Sequence, residues 1–223
     1  MEPTKRKVVQ RSPAHTVRLL HLPHLQKKPV EAESSLERDF VQIAALFSFT
    51  ESIEHQPFRL VWDDANYTPD FLIRFKDASQ LVVEVKPSVK VDKYRALFDR
   101  ASEKLKGHKL PFMVATDTQL QAGQRATNAL LIRRYAKTSF ADSFCDSAIK
   151  LVEARSDGVS FLELWSGTQV SRELILHLVA RRRLAVGPNL AIGSNALVFP
   201  VTHLKEQSHA IQFANWFDAE IWG

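Results

Sequence analysis

Two apolar runs, residues 71–75 and 81–85, flank the polar stretch Lys76-Asp-Ala-Ser-Gln80 and predict a β-hairpin. Before it, Leu36, Phe40, Ile43, Ala44 and Phe47 recur at helical spacing and predict a helix over 34–47. Residues 56–62 read as a strand and 63–66 as a turn. After the hairpin come an amphipathic helix over 92–105, a short apolar strand over 110–115 closing at Thr116-Asp117, and helices over 124–136 and 140–153. The order α-β-β-β-α-β-α predicts an α/β domain, a mixed sheet flanked by helices.

Ser156-Asp-Gly158 reads as a boundary. Beyond it lie a short helix over 160–165, a Ser-Gly-Thr turn, a helix over 170–183, and two strands near 184–192 and 195–201. Helix, turn, helix and hairpin is the order of a small winged-helix-like domain. The expected organisation is therefore an arm (1–30), an α/β domain (31–155), a winged-helix-like domain (156–205) and an aromatic tail (206–223).

The chain has 223 residues, 45% of them hydrophobic, enough for one good core and a small second domain. No apolar run reaches the roughly 20 residues that span a bilayer, and the N-terminus lacks a signal-peptide core. A single cysteine, Cys145, excludes an internal disulfide framework and a cysteine-based zinc site. The expected setting is the reducing cytoplasm.

Charge is unevenly placed. Lys5, Arg6, Lys7, Arg11, Arg18, Lys27 and Lys28 face only Glu2 within residues 1–30. The whole chain carries +5, so this arm holds the entire basic excess. Such an arm suits a phosphate backbone; a solvated terminus is the plainer alternative.

Three charges interrupt the hairpin. Asp70 stands at the entry of its first strand, Glu84 and Lys86 near the end of its second. Glu84 and Lys86 are two apart and share a sheet face, while Val85 points into the core. Burying charge without a partner costs several kcal/mol, so two carboxylates and an ammonium at one point suggest a metal site. An exposed hairpin end with a simple ion pair is the alternative.

Pro69-Asp70 followed by Glu84-Val85-Lys86 matches the pattern of PD-(D/E)xK nucleases. Phosphodiester hydrolysis needs an activated water and neutralised charge on the transition state. Carboxylates suit Mg²⁺, with Mn²⁺ able to substitute. Val85 offers a backbone carbonyl as a further ligand, and Lys86 an ammonium for the water or the developing anion. Glu37, on the preceding helix, has two readings: a further acid of the site, or the N3 member of the capping box Ser34-Ser-Leu-Glu37.

Glu33-Ser-Ser-Leu-Glu37, Tyr67-Thr-Pro-Asp-Phe-Leu72 and Glu84-Val-Lys-Pro-Ser88 occur in order. Together they resemble the TnsA family, the endonuclease subunits of heteromeric cut-and-paste transposases. The resemblance spans most of the chain. It implies a PD-(D/E)xK restriction-endonuclease-like core with Glu37, Asp70, Glu84 and Lys86 as active-site residues. It also implies Mg²⁺-dependent cleavage of the 5′ strands at transposon ends, double-stranded DNA as substrate, and two protein partners. These are a TnsB-like DDE transposase and a TnsC-like AAA+ ATPase, in a bacterial cytoplasm close to the nucleoid. A stand-alone restriction or repair nuclease with the same core is the alternative, and a non-enzymatic winged-helix binding module a third reading.

Other signals are weaker. Lys90 and Lys93 follow the hairpin and suit phosphate contact or a solvated helix face. Residues 160–223 hold equal numbers of acids and bases, which favours protein contact over DNA contact there. His21 and His24 read as a loop pair. The tail over 211–222, with two Trp and two Phe, suits either packing onto its own domain or docking to a partner.

Overall fold

The computed structural model describes residues 1–3, 17–166, 170–202 and 206–223. Lys5, Arg6, Lys7, Arg11 and most of the Ser-Gly-Thr turn lie outside the described residues. The strands and helices run, in chain order, β1 (Glu2–Pro3), β2 (Arg18–Leu20), β3 (Val30–Ala32), α1 (Ser35–Ala44), β4 (Thr50–His55), β5 (Phe58–Val61), β6 (Asn66–Tyr67), β7 (Phe71–Phe75), β8 (Gln80–Lys86), α2 (Ser88–Lys106), β9 (Phe112–Thr116), α3 (Asp117–Gln121), α4 (Arg125–Arg134), α5 (Asp142–Glu153), β10 (Val159–Ser160), α6 (Phe161–Ser166), α7 (Arg172–Ala180), β11 (Ala185–Val186), β12 (Leu197–Phe199) and α8 (His209–Phe217). No helix among the described residues is long and apolar enough to cross a membrane.

The chain divides into two compact units. The first comprises Met1–Val41, Phe49–Leu120 and Glu206–Gly223; the second comprises Gln42–Ser48 and Gln121–Lys205. The sequence boundary at Ser156-Asp-Gly158 thus falls inside the second unit, and the C-terminal tail returns to the first.

The first unit is built on a mixed four-stranded sheet in the order β4-β7-β8-β9. The expected hairpin is β7–β8, antiparallel, with Phe71 opposite Val83 and Ile73 opposite Leu81. β9 runs parallel to β8, as a strand reached through the crossover helix α2 should. The expected strand over 56–62 is β5, and a further, unexpected strand, β4, precedes it, separated from it by Gln56 with φ of 44° and Pro57. Proline lacks the N–H that would continue a ladder. Glu51 and Glu54 interrupt the apolar pattern of β4, and His55 ends it.

Side-chain alternation gives the sheet two apolar faces. On one, Leu72, Val82 and Val114 meet Phe98, Ala101 and Leu105 of α2. On the other, Phe71 stacks against Phe40 of α1 at 5.3 Å between ring centroids, and Phe75 meets Phe213 of α8 at 5.5 Å. Phe40, Phe71, Phe75, Phe213 and Phe217 are all fully buried. The aromatic tail therefore serves as core, as the first of its two readings expects. Its end is tied down as well: Ser102 Oγ donates to the Trp222 carbonyl, and Trp222 Nε1 donates to Asp99.

The expected extended arm is partly a hairpin. Arg18–Leu20 pairs with Val30–Ala32, and Glu2–Pro3 pairs with β5.

The second unit carries the order α5, β10, α6, α7, β11, β12, and its three-stranded sheet runs β10-β12-β11. Gly158 enters this sheet with φ of 91°, and a Cβ there would lie 2.7 Å from the Phe199 ring. Glycine is the residue that fits both constraints.

Candidate active site

The hairpin register brings Asp70 and Glu84 together. Phe71 pairs with Val83, so one further step along the ladder sets Asp70 opposite Glu84. The Val85 backbone N–H donates to Asp70 Oδ2 at 2.8 Å, which clamps the entry of β7 to the end of β8. Val85 itself is buried, on the face opposite Glu84.

Lys86 Nζ lies 2.5 Å from Glu84 Oε1, and the Tyr67 hydroxyl donates to Glu84 Oε2 at 2.5 Å. Glu84 is only 2% exposed. Lys86 is more open and also sits 5.7 Å from the Tyr94 ring centroid of α2. The next residues, Pro87 and Ser88, begin α2. Asp117, at the end of β9, accepts the Ser88 N–H at 2.6 Å and caps the helix beside the site.

Glu37 fills the capping role proposed for it and lies within electrostatic reach of Asp70. Its N–H donates to Ser34 Oγ at 3.1 Å, and its Oε2 accepts the Glu33 N–H at 2.8 Å. This is a capping box displaced by one residue. The same carboxylate also reaches Asp70 electrostatically. His55 Nε2 lies 3.7 Å from Glu37 Oε2, and the His55 ring packs against Phe71.

Burial pushes the Asp70 carboxyl well above the usual carboxylate range, and the charges of Glu84 and Glu37 push it further. Lys86 and the Val85 N–H oppose the rise without cancelling it. Burial likewise raises Glu84, against the pull of Lys86 and Tyr67. Burial would lower Lys86, but Glu84 and Asp70 outweigh it and hold the ammonium firmly protonated. Tyr67 is pushed well above 10 by burial and by Glu84, so its phenol stays a hydrogen-bond donor.

Two buried carboxylates, Asp70 and Glu84, face one ammonium, with Glu37 within electrostatic reach of Asp70 and His55 beside Glu37. This surplus of negative charge suits a hard divalent cation in type, because Mg²⁺ takes carboxylate oxygen and water. Among the described residues no three His, Cys, Asp or Glu side chains form a ready-made cage. Both Glu84 oxygens are engaged by Lys86 and Tyr67, so a cation binding Glu84 would compete with the Lys86 ammonium. Asp70, Glu84 and Glu37 are the carboxylates available to it.

Comparison with protein-family models and with curated protein sequences finds no match for this chain.

The other candidate residues spread outward from this point. Lys27 and Lys28 line a groove of about 540 Å³ with His55, Gln56 and Arg74. Gln26 holds that loop against β4 by accepting the Ile53 N–H and donating to the Ile53 carbonyl. Arg18 sits on β2. Lys90 and Lys93 are exposed on the first turns of α2, with Lys93 Nζ 5.8 Å from the Tyr94 ring centroid.

Sequence reasoning assigned no role to Tyr67 or His55. Tyr67 stands three residues before Asp70 inside the quoted Tyr-Thr-Pro-Asp motif, but its contact with Glu84 depends on the pairing of β6 with β5.

Proposed function

We propose that the chain is a Mg²⁺-dependent DNA endonuclease of the PD-(D/E)xK type. In this reading it cleaves the 5′ strands at transposon ends, as the resemblance to TnsA subunits implies. The observation that supports it is the pairing of buried Asp70 and Glu84 beside Lys86 at the end of one hairpin, with Glu37 of α1 within electrostatic reach of Asp70. A bound divalent cation supplies Lewis acidity toward the phosphate and a nucleophilic water near neutral pH.

The chain's own residues divide the remaining work. Asp70 and Glu84 would hold the cation, and Glu37 and the Val85 carbonyl could add to it. Lys86 would orient the attacking water or balance the charge on the phosphate oxygens. The Val85 N–H fixes Asp70, so the carboxylate is in place before substrate arrives. Lys27, Lys28, Lys90 and Lys93 flank the site and bind phosphates on either side. Arg18 and the basic residues Lys5, Arg6, Lys7 and Arg11 extend that contact.

The element order of the second unit suits a winged-helix-like domain, and the equal numbers of acids and bases over residues 160–223 favour protein contact there. In this reading a TnsB-like DDE transposase cuts the 3′ ends and a TnsC-like AAA+ ATPase links the assembly to its target. The setting is the bacterial cytoplasm.

The test is end mapping on transposon-end DNA in an assembly with a TnsB-like DDE transposase and a TnsC-like AAA+ ATPase. The expected result is 5′-strand cleavage that stops when Mg²⁺ is chelated and returns with Mn²⁺. Cleavage that persists in chelator overturns the metal-dependent mechanism. Strong sequence-specific cutting by the isolated chain favours a stand-alone nuclease instead.

A further inference from the structure

Glu84 is anchored twice. Its Oε1 meets Lys86 Nζ and its Oε2 accepts the Tyr67 hydroxyl, each at 2.5 Å. A glutamate held at one oxygen still turns about its side-chain torsions; held at both, its carboxylate plane is fixed. The two anchors differ in kind. Lys86 sits on the same strand and is partly exposed, with an ammonium on a flexible stem. Tyr67 arrives on β6, where its partner in β5 is Leu60. Its ring is buried among Leu60, Leu72, Val82 and Phe98. The fold, not the site, therefore sets the position of the hydroxyl.

We infer that Tyr67 is a positioning residue of the nuclease centre: it holds Glu84 by Oε2 so that Oε1 is the oxygen that exchanges Lys86 for the divalent cation. The inference rests on the metal-dependent reading above. Outer hydrogen bonds of this kind orient metal-binding carboxylates, and their loss typically lowers metal affinity 10- to 100-fold. A tyrosine present only to fill the core has no such effect once its ring is retained.

The test is Mn²⁺ titration of the full chain, without DNA, by calorimetry. Wild type, Tyr67→Phe, Glu84→Gln, the double variant and Asp70→Ala are compared, with melting midpoints measured in each. Tyr67→Phe keeps the ring and is expected to weaken Mn²⁺ binding about 10-fold or more. In the double variant the loss is expected to equal that of Glu84→Gln alone, because Tyr67 acts through Glu84. Independently of any variant, Mg²⁺ binding to wild type is expected to perturb a tyrosine near-ultraviolet band, as the charge beside the phenol changes. Equal Mn²⁺ affinity in wild type and Tyr67→Phe, fully additive losses, or an unperturbed tyrosine band overturns the inference and leaves the metal site standing. Absence of saturable Mn²⁺ binding by wild type, or binding untouched by Asp70→Ala, overturns the metal reading and this inference with it.

Discussion

The Val85 backbone N–H donates to Asp70 Oδ2 at 2.8 Å, and this bond sets the geometry of the centre. It carries the β7–β8 pairing one step past the regular ladder. Asp70 and Glu84 thereby sit side by side while Val85 faces the opposite core. The crowding raises the Asp70 carboxyl, with burial first and Glu84 next. Burial and crowding of this kind favour a proton or a cation beside the pair.

Lys86 is the ammonium that balances this pair. Lys86→Ala leaves two buried carboxylates facing each other, and removal of one partner of a buried pair costs about 3 kcal/mol. The expected outcome is a lower melting midpoint without metal, recovered in part by added Mg²⁺. Cleavage is expected to fall by about 10²–10³-fold. Thermal melts with and without Mg²⁺ check the first expectation and end-mapping assays the second. Equal melts in metal-free buffer contradict the balancing role.

Asp117 couples the end of β9 to the start of α2 through the Ser88 N–H. That hydrogen bond holds the Asp117 carboxyl below its ordinary 3.8. A depressed carboxyl contributes stability above the unfolded value and loses it as pH falls through the folded one. Asp117→Ala is expected to cost about 1 kcal/mol near neutral pH, with the difference from wild type vanishing as pH drops below 3.8. Denaturant melts across that range decide it; a difference that persists at the acid end contradicts the cap.

Much of this centre was legible in the sequence, and the reasons are specific. The β7–β8 strands announce themselves by uninterrupted apolar runs around a polar turn, and Glu84 and Lys86 share a face by simple alternation. β4 escaped because Glu51 and Glu54 break its pattern and Gln56 adopts a left-handed turn. Tyr67 and His55 escaped because their roles arise from pairings of β6 with β5 and of β4 with β7 that local periodicity does not show. The assignment of residues 121–155 to the second unit is likewise a matter of long-range packing, invisible to local periodicity. The tail's two readings were separated only by the burial of Phe213 and Phe217.

Phe213 meets Phe40, Phe75 and Phe217, which makes α8 part of the core of the first unit. Phe213→Ala is expected to destabilise that unit by about 3–5 kcal/mol. Chemical denaturation followed by tryptophan fluorescence measures it. A loss below 1 kcal/mol contradicts the role of the tail as core.

Lys27 and Lys28 line the groove that also borders His55. If they neutralise phosphates, Lys27→Ala with Lys28→Ala weakens DNA binding and reduces the salt slope by up to about 2. Fluorescence anisotropy across a salt series measures the slope. An unchanged slope removes this loop from the DNA contacts.

The most direct measurement compares 5′-strand cleavage at transposon ends by wild type and Asp70→Ala in the full assembly with Mg²⁺. Asp70→Ala removes a carboxylate that burial and Glu84 disfavour but also the acceptor of the Val85 N–H, so a thermal melt is run beside the assay to show that the variant is folded. Its 5′-strand cleavage is expected to fall below detection. Full 5′-strand cleavage by a correctly folded Asp70→Ala protein contradicts the assignment of this hairpin as the nuclease centre.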